Sequence, residues 1–146
     1  MSFSVHSAVT QYLATKHGDR VITHGNAQIE REEAITQHCK TDKPSVLVSP
    51  SITEGVDFAD ELARFQIVCK IPYPRWDEYS RSRHAIEPKW YDLQTASTLV
   101  QMTGRAVRSN TDFATTFVLD SNLTEFVERS ESILPTWWLD AIQMET

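Results

Sequence analysis

The sequence is short of cysteine and glycine, the residues that build disulfide frameworks, metal centres and flexible loops. Its 146 residues include two cysteines, Cys39 and Cys69, and neither belongs to a Cys-x-x-Cys pair. This spacing excludes a zinc or iron–sulfur framework. The five histidines also lack the paired spacing of ligand sets, so the sequence predicts no metal site.

Long hydrophobic runs are missing as well. No apolar stretch approaches the roughly 18–20 residues of a membrane span, and residues 1–6 lack the basic start of a signal peptide. The apolar fraction of 40% and the charged fraction of 23% are those of an ordinary globular protein. We expect a single domain over residues 1–146, in a cytoplasmic protein without membrane contact.

Positive charge is scarce overall but concentrated in one segment. The net charge is −6, which argues against a nucleic-acid coat protein. Residues 64–108, however, hold eight lysines and arginines against four acidic residues, whereas both flanking segments are acidic. This segment forms either a solvated basic face or a basic surface that faces the phosphates of a nucleotide or a nucleic-acid strand.

The order of apolar and polar-periodic segments predicts an α/β fold. Helical spacing alternates with strand-like runs at residues 2–6, 20–24, 45–49, 65–71 and 113–119. The alternation favours a mostly parallel sheet of about five or six strands with helices on both faces. Ligands of such sheets bind at the carboxyl ends of the strands. That rule points to the loops after Ser49, Ile71 and Asp120.

The same patterns place individual side chains. We expect Asn26 to cap a helix over residues 28–38, with Ile29 and Ile35 facing inward. The strand at 45–49 is nearly all apolar, which predicts burial on both faces. A last helix should follow Pro135, anchored by Trp137, Trp138 and Ile142.

Two more helices are predicted from the same spacing. Residues 8–16 have helical spacing, and we expect a stop at residues 17–19, with Gly18 near the C-cap. The helix predicted over residues 93–107 has Ala96, Leu99, Val100 and Thr103 at core-compatible spacing.

A polar loop, Ser-Pro-Ser-Ile-Thr-Glu-Gly-Val-Asp-Phe at residues 49–58, follows the strand at 45–49. Its hydroxyls, carboxylates and backbone amides can surround a polar ligand. Gly55 permits a close backbone approach. The alternative is a plain polar turn in which Asp57 caps the next helix.

A second polar segment, Gln-Met-Thr-Gly-Arg-Ala-Val-Arg at residues 101–108, lies in a predicted helix over 93–107. Gly104 inside a helix costs about 1 kcal/mol relative to alanine. Arg105 and Arg108 share one helical face with Gln101, and such guanidinium groups fork onto phosphate oxygens. The alternative is an arginine pair that only binds acidic neighbours.

Basic and aromatic residues are interleaved between Arg75 and Tyr91, in a stretch longer than a plain connection needs. We interpret it as a loop insertion. Its composition suits single-stranded nucleic acid, with bases stacked on rings such as that of Trp76 and the backbone attracted by charge. Alternatively, the rings pack on the domain itself.

Together these segments resemble the C-terminal motor domain of the XPD/DinG-like branch of superfamily 2 helicases. The shared order is Glu-Gly-Val-Asp-Phe at 54–58, Pro-Tyr-Pro at 72–74, Gln-x-x-Gly-Arg-x-x-Arg at 101–108 and Leu-Asp at 119–120. The first segment resembles motif V of that family and the third resembles motif VI, while Ser4 to Ser7 resembles motif IV. The resemblance covers about residues 3–143 and implies a RecA-like three-layer sandwich.

The resemblance also implies a role for each matching residue. Arg108 would be the arginine finger that stabilises charge on the γ-phosphate, supported by Arg105, and Gln101 would contact the nucleotide or its attacking water. Residues near the nucleotide would be Glu54, Gly55, Asp57 and Gly104. Single-stranded DNA would contact Ser7, Ser49, Ser51 and Thr53, and the residue pattern adds Arg75 and Trp76 to that surface.

The phosphate loop G-x-x-x-x-G-K-[ST], the D-E-A-H-type box and a four-cysteine cluster are all missing from the sequence. The implied ATP and Mg²⁺ would be bound mainly by a first motor domain, in cis or in trans, and no iron–sulfur cluster is expected in this chain. We therefore expect part of a DNA helicase that does not hydrolyse ATP alone. The alternative is a degenerate motor domain that acts only as a single-stranded nucleic-acid or protein-binding module.

Overall fold

The computed structural model describes residues 3–50, 58, 62–104 and 113–143. Its helices are α1 (Phe3–His17), α2 (Gln28–Lys40), α3 (Glu78–Ile86), α4 (Trp90–Thr103), α5 (Leu123–Ser130) and α6 (Thr136–Asp140). The strands are β1 (Val21–Thr23), β2 (Val46–Val48), β3 (Phe65–Val68) and β4 (Thr115–Val118). Short 3-10 turns lie at Gly18–Arg20 and Glu131–Ile133. The mixed α/β class predicted from the sequence is confirmed.

The strands of this part of the chain form two separate parallel pairs. β1 pairs with β2, and β3 pairs with β4. The prediction of one sheet of five or six strands is therefore wrong for the described residues. Each strand has only three or four residues, and the outer face of the β3–β4 pair is uncovered, with Phe65 74% and Ile67 59% exposed.

His38 of α2 connects the two pairs at the amino ends of their strands. Its Nδ1 lies 2.8 Å from the Ser45 hydroxyl, just before β2. Its Nε2 donates to the carbonyl of Leu62, just before β3, at 3.1 Å. The amino ends of β2 and β3 are thus neighbours.

Helix α1 replaces the strand predicted at residues 2–6. Among the residues of α1 whose burial is described, the buried and half-buried ones are Val5, His6, Val9, Thr10 and Leu13. Their spacing of three and four is that of one helical face, and it includes Val5 and His6. The strand prediction was wrong because this helical spacing starts before Ala8. The predicted stop is confirmed, since α1 ends at His17 and Gly18 has a φ of 56°.

Helix α2 turns a different stripe inward from the one predicted. Ala34 is buried, and Ile35 and His38 are half-buried on the same stripe, but Ile29 is 65% exposed. Ile29 lies off this stripe, in the first turn. The cap position is Ala27, with no side-chain hydrogen bond, so the prediction of an Asn26 cap is also wrong.

Two further burial predictions fail for geometric reasons. Val46 of β2 is 39% exposed although Val48 is buried, because a pair of three-residue strands is too small to be covered along its length. Trp137 is 62% exposed, while Trp138, its neighbour in α6, is buried. Adjacent helical positions point about 100° apart, so α6 turns only one of its two indoles inward.

The main core lies between the β3–β4 pair and helices α4, α5 and α6. The buried members of this cluster are Val68, Ile71, Ala96, Leu99, Phe126, Leu134 and Trp138. Ala96 and Leu99 are two of the positions that the sequence assigned to the inner face of α4. They are three residues apart on one helical face, and both are buried as expected.

The basic and aromatic stretch after β3 is not a loop throughout, because it contains α3. Asp77 caps this helix by accepting a hydrogen bond from the Ser80 backbone N–H at 2.9 Å. The Ser80 hydroxyl in turn donates to the Arg75 carbonyl at 2.7 Å. Aspartate is a preferred N-cap residue, and Asp77 was the sign of a helix that the loop interpretation missed.

Candidate functional site

Two histidines hold the carboxyl ends of β1 and β2 together. The Nε2 atom of His6 lies 3.0 Å from the Thr23 hydroxyl and 3.4 Å from the Val48 carbonyl oxygen. The Nε2 atom of His24 lies 2.7 Å from the Ser49 hydroxyl. Both rings are buried, with 9% and 6% of their surface exposed. The strand ends at which the polar 49–58 loop begins are therefore fixed by side chains from α1 and β1.

Of the residues predicted to contact single-stranded DNA, the structure brings Ser49 into this cluster. Ser7 is exposed on α1, one position after His6. Ser51 and Thr53 lie outside the described residues, as do the nucleotide-contact predictions Glu54, Gly55 and Asp57. The sequence pattern did not single out His6 or His24, although a polar residue that ends a strand directly before glycine is a usable signal.

The carboxyl end of α4 is anchored on two sides just before the predicted arginine finger. Gln66 of β3 donates to the Met102 carbonyl at 2.8 Å. The Trp138 indole donates to the Thr103 hydroxyl at 2.8 Å, and this hydroxyl donates back into α4. Gln101 is exposed there. Its amide is accessible to a ligand beside a fixed helix end.

Gly104 ends α4 instead of lying inside it, as the sequence-based prediction had it. It occupies the C-cap position, with φ −77° and ψ −2°. Glycine is a poor helix former and is favoured at helix ends. Arg105 and Arg108 lie outside the described residues, so the shared helical face with Gln101 stays a prediction.

At the carboxyl ends of β3 and β4, Asp120 links the residues that follow the two strands. One carboxylate oxygen accepts the Ile71 N–H at 3.0 Å, and the other accepts the Asn122 N–H at 3.1 Å and its amide at 2.8 Å. Burial raises the pKa of Asp120, but the hydrogen bonds from Ile71 and Asn122 outweigh it, so this pKa is lowered. Asp120 thereby fixes the start of the Pro-Tyr-Pro loop.

Replacing Asp120 with alanine is expected to destabilise the fold by about 1–3 kcal/mol at neutral pH, because the buried Ile71 N–H loses its acceptor. The folded pKa is lowered, so this carboxylate stabilises the fold above its unfolded pKa. The stabilisation is lost as the pH falls from the unfolded pKa through the lower folded pKa. Urea unfolding at several pH values measures the difference. Asp42→Ala, at an exposed position, is the control, and a gap of constant size down to acid pH would contradict the assignment.

An aromatic cluster lines the surface beyond that loop, formed by Tyr73, Trp76, Tyr79, His84, Trp90 and Tyr91. Tyr91 stacks on Tyr73 at 6.0 Å and meets the edge of Trp76 at 5.1 Å. The Tyr91 hydroxyl donates to the Pro74 carbonyl at 2.7 Å, and burial raises the pKa of Tyr91. Trp76 is nevertheless 53% exposed and Tyr79 is 65% exposed. The rings pack on one another and still present faces to solvent.

Two described parts of the predicted site lie at opposite ends of the β3–β4 pair. Gln101 and Gly104 are near the amino end, where Gln66 contacts α4. Arg75 and Trp76 follow the carboxyl end of β3, beyond the Ile71 N–H that Asp120 accepts. Ser49 is at neither of these ends, since it follows β2.

The chain as a whole is similar to a known protein family. A family model described as the helicase C-terminal domain matches residues 1–141. The chain belongs to that family. The resemblance to the C-terminal domain of an XPD/DinG-like helicase is thereby confirmed.

Two of the three curated relatives described next carry the word helicase in their names. The chain is 27% identical over 108 residues to the Regulator of telomere elongation helicase 1 homolog of Caenorhabditis briggsae, covering 62% of this chain and 11% of that protein. It is 27% identical over 128 residues to ATP-dependent DNA helicase chl-1 of Caenorhabditis elegans, covering 77% and 15%. It is 25% identical over 105 residues to the Fanconi anemia group J protein homolog of Gallus gallus, covering 63% and 8%. The chain thus spans about a tenth of the length of these relatives.

Two features are absent from the described residues of this helicase C-terminal domain. Within the described ranges, no helix combines the length and apolarity needed to cross a bilayer. The same part of the chain holds no cluster of three or more histidine, cysteine, aspartate or glutamate side chains placed to bind a metal ion.

Proposed function

We propose that this domain is the second motor domain of an ATP-dependent DNA helicase. In this role Arg108 and Arg105 act on the phosphates of an ATP bound by a first motor domain, and Gln101 contacts the nucleotide or its attacking water. Glu54, Gly55, Asp57 and Gly104 line the nucleotide on this side of the cleft. Hydrolysis would then be coupled to movement along single-stranded DNA.

One observation carries the proposal: α4 ends at a fixed point directly before the Gly-Arg-x-x-Arg sequence. Gln66 and Trp138 hold the last turn of α4 from β3 and α6. An arginine that reaches across an interface is effective only when its base is held in place. A domain that merely bound a strand would have no need of an anchored helix end beside two arginines.

The residues of this domain would contact a bound ATP from one side only. Gln101 is exposed at the anchored end of α4, and a side-chain carbon at Gly104 would meet no atom of the described residues within 4 Å. The sequence holds no phosphate loop. Bound ATP and Mg²⁺ would supply the reacting phosphate and its charge neutralisation, while this domain supplies arginines and an amide.

The deciding experiment is DNA-stimulated ATP hydrolysis by the chain alone and mixed with a first motor domain that carries the phosphate loop, from the same source. Activity confined to the mixture supports the proposal. No hydrolysis in either sample, with strand binding retained, supports the alternative of a pure binding module. The half-exposed aromatic cluster is the feature that favours this second candidate.

The strand-binding part of the proposal predicts a specific loss in Trp76→Ala. Stacking of one base on an aromatic ring contributes about 1–3 kcal/mol, so affinity for an oligothymidylate should fall roughly 5–100-fold. Trp137→Ala removes an equally exposed indole, 62% against 53%, from an acidic region. Fluorescence anisotropy should show no change for this control. Equal affinities for wild type and Trp76→Ala would mean that the cluster only packs on the domain.

A further inference from the structure

The aromatic cluster contains two neighbouring groups of rings, and each group has one ring that is mostly exposed. In the first group the Tyr91 ring of α4 meets that of Trp76, with 5.1 Å between ring centres. In the second group the Trp90 ring of α4 meets that of Tyr79 at 5.9 Å. Trp90 and Tyr91 are consecutive residues, with Cα atoms about 3.8 Å apart. Two exposed rings, Trp76 at 53% and Tyr79 at 65%, are thus supported by adjacent residues of one helix.

The Tyr79 ring is held in place while one of its faces stays open. Its contact with Trp90 has an interplanar angle of 84°, the edge-to-face arrangement that aromatic pairs prefer. A contact of this kind covers at most one face of a ring. The other face of Tyr79 is therefore available to stack on a nucleobase, which is how proteins that bind single strands use aromatic side chains.

Arg83 places positive charge beside this ring. It follows Tyr79 by four residues in α3, so the two side chains are neighbours on one helical face. Its ion pair with Glu87 is long, at 3.9 Å, and these side chains are 42% and 54% exposed, so the pair contributes little. The Nε–H of Arg83 has no hydrogen-bond partner in the described part of the chain. The guanidinium therefore retains donors for a phosphate oxygen.

Charge distinguishes this surface from an ordinary apolar patch. Residues 75–89 hold four lysines and arginines against three acidic residues, although the whole chain has a net charge of −6. Of the acidic residues, Asp77 accepts the Ser80 N–H as the cap of α3, and Glu87 faces Arg83. Open ring faces together with positive charge fit a single-stranded nucleic acid, which has bases to stack and phosphates to bind.

We propose that Tyr79 and Arg83 form a second nucleotide subsite beside Trp76. One base of a single strand stacks on Trp76 and a neighbouring base stacks on Tyr79, while Arg83 binds a phosphate oxygen of the second nucleotide. Linked nucleotides occupy both subsites at once, whereas a free nucleotide occupies one. The inference rests on the proposed strand-binding function and extends that function from one ring to a surface for two nucleotides.

The test is binding of a labelled oligothymidylate by the whole chain, measured by fluorescence anisotropy. Tyr79→Leu keeps an apolar side chain but removes the ring, so affinity should fall roughly 5–100-fold, the contribution of one stacked base. Tyr79→Phe keeps the ring and should bind like the wild type. Tyr12→Leu is the matched control, because Tyr12 is 59% exposed on α1 and has a cation, Lys16, four residues later at 4.7 Å. This control should bind like the wild type.

Arg83 has a readout of its own, the salt dependence of binding. Loss of one phosphate contact in Arg83→Ala should reduce the slope of log affinity against log salt concentration by about 0.7, the value per phosphate of a single strand. Tyr79→Leu should leave this slope unchanged. Lys16→Ala, which removes the cation of the control pair, should leave it unchanged as well.

A double variant shows whether the two rings hold separate bases. If they do, the losses in Trp76→Ala and Tyr79→Leu multiply in the double variant, because independent contacts contribute additively to the free energy of binding. A double variant that binds no more weakly than Trp76→Ala would mean that both rings serve one base. That result would overturn the second subsite.

The remaining outcomes separate this inference from the function on which it rests. A loss in Trp76→Ala without a loss in Tyr79→Leu overturns the second subsite while strand binding stands, and so does an unchanged salt slope in Arg83→Ala. An equal loss in Tyr12→Leu also overturns it. Absence of binding by the wild type overturns the strand-binding function and the subsite together. Circular dichroism reports whether each variant folds.

Discussion

Arg108→Ala is expected to lower ATP hydrolysis by the reconstituted two-domain enzyme about 10³–10⁵-fold. The guanidinium would stabilise charge that develops at the γ-phosphate. Its loss therefore raises the free energy of the transition state but not that of the ground state. Affinity for single-stranded DNA should change less than about twofold, because the proposal assigns Arg108 to the nucleotide and other residues, among them Trp76, to the strand. The measurements are kcat under saturating DNA and oligonucleotide anisotropy.

Two control variants distinguish the loss of the arginine finger from a change in net charge. Arg108→Lys keeps the charge but loses the forked donor pair, so hydrolysis should remain far below wild type. Lys40→Ala removes a positive charge from the exposed end of α2 and should leave hydrolysis unchanged. Wild-type turnover in Arg108→Ala would refute the finger assignment. An equal loss of strand affinity would place Arg108 on the nucleic-acid surface instead.

Phe126→Ala is expected to cost about 3–5 kcal/mol of the free energy of unfolding. Phe126 has no exposed surface and lies at the centre of the core. Its ring meets Tyr73 edge-on at 5.9 Å, and the Arg129 guanidinium lies 5.1 Å from its centre. Alanine would leave a cavity where these groups converge. Since a domain has about 5–15 kcal/mol of stability in total, the variant should be close to unfolding.

Urea denaturation measures this loss, and Phe65→Ala is its matched control. Phe65 is 74% exposed on β3, so the same chemical deletion there should cost less than about 1 kcal/mol. Because Tyr73 belongs to the loop that leads to Trp76, Phe126→Ala should also weaken strand binding. Equal unfolding midpoints for the two variants would show that the core does not depend on Phe126.

The sequence predicted the second half of the chain better than the first. Apolar positions of α4 have the spacing of a core-facing helix, and Ala96 and Leu99 are buried as expected. The segment at residues 2–6 is too short to distinguish a strand from the start of a helix, and only the contact of His6 with Thr23 makes the helix evident. The exposure of Ile29 likewise depends on how α2 is rotated against its neighbours, which local periodicity does not fix.

Family motifs can be recognised in the sequence because each lies within one short segment. The groups that position them come from distant parts of the chain. Gln101 and Gly104 were identified from one octet. Gln66 and Trp138, which hold the end of α4, lie 36 and 35 positions away from their partners. His24 reaches Ser49 across 25 positions. No pattern within a single segment predicts such contacts, since they depend on which strands pair.

The pairing of β3 with β4 has a consequence for how the domain is made. Gln66 and Thr116 are 50 positions apart, and the β3–β4 ladder cannot form until β4 has been synthesised. Ribosomes add about 5–20 residues per second. Roughly 3–10 s therefore pass between the synthesis of β3, which contains Phe65 and Ile67, and that of its partner strand β4. The helices between them form far faster, within microseconds. The emerging chain therefore passes through a stage with finished helices and an unpaired, apolar strand, which is the stage at which a chaperone would be most needed.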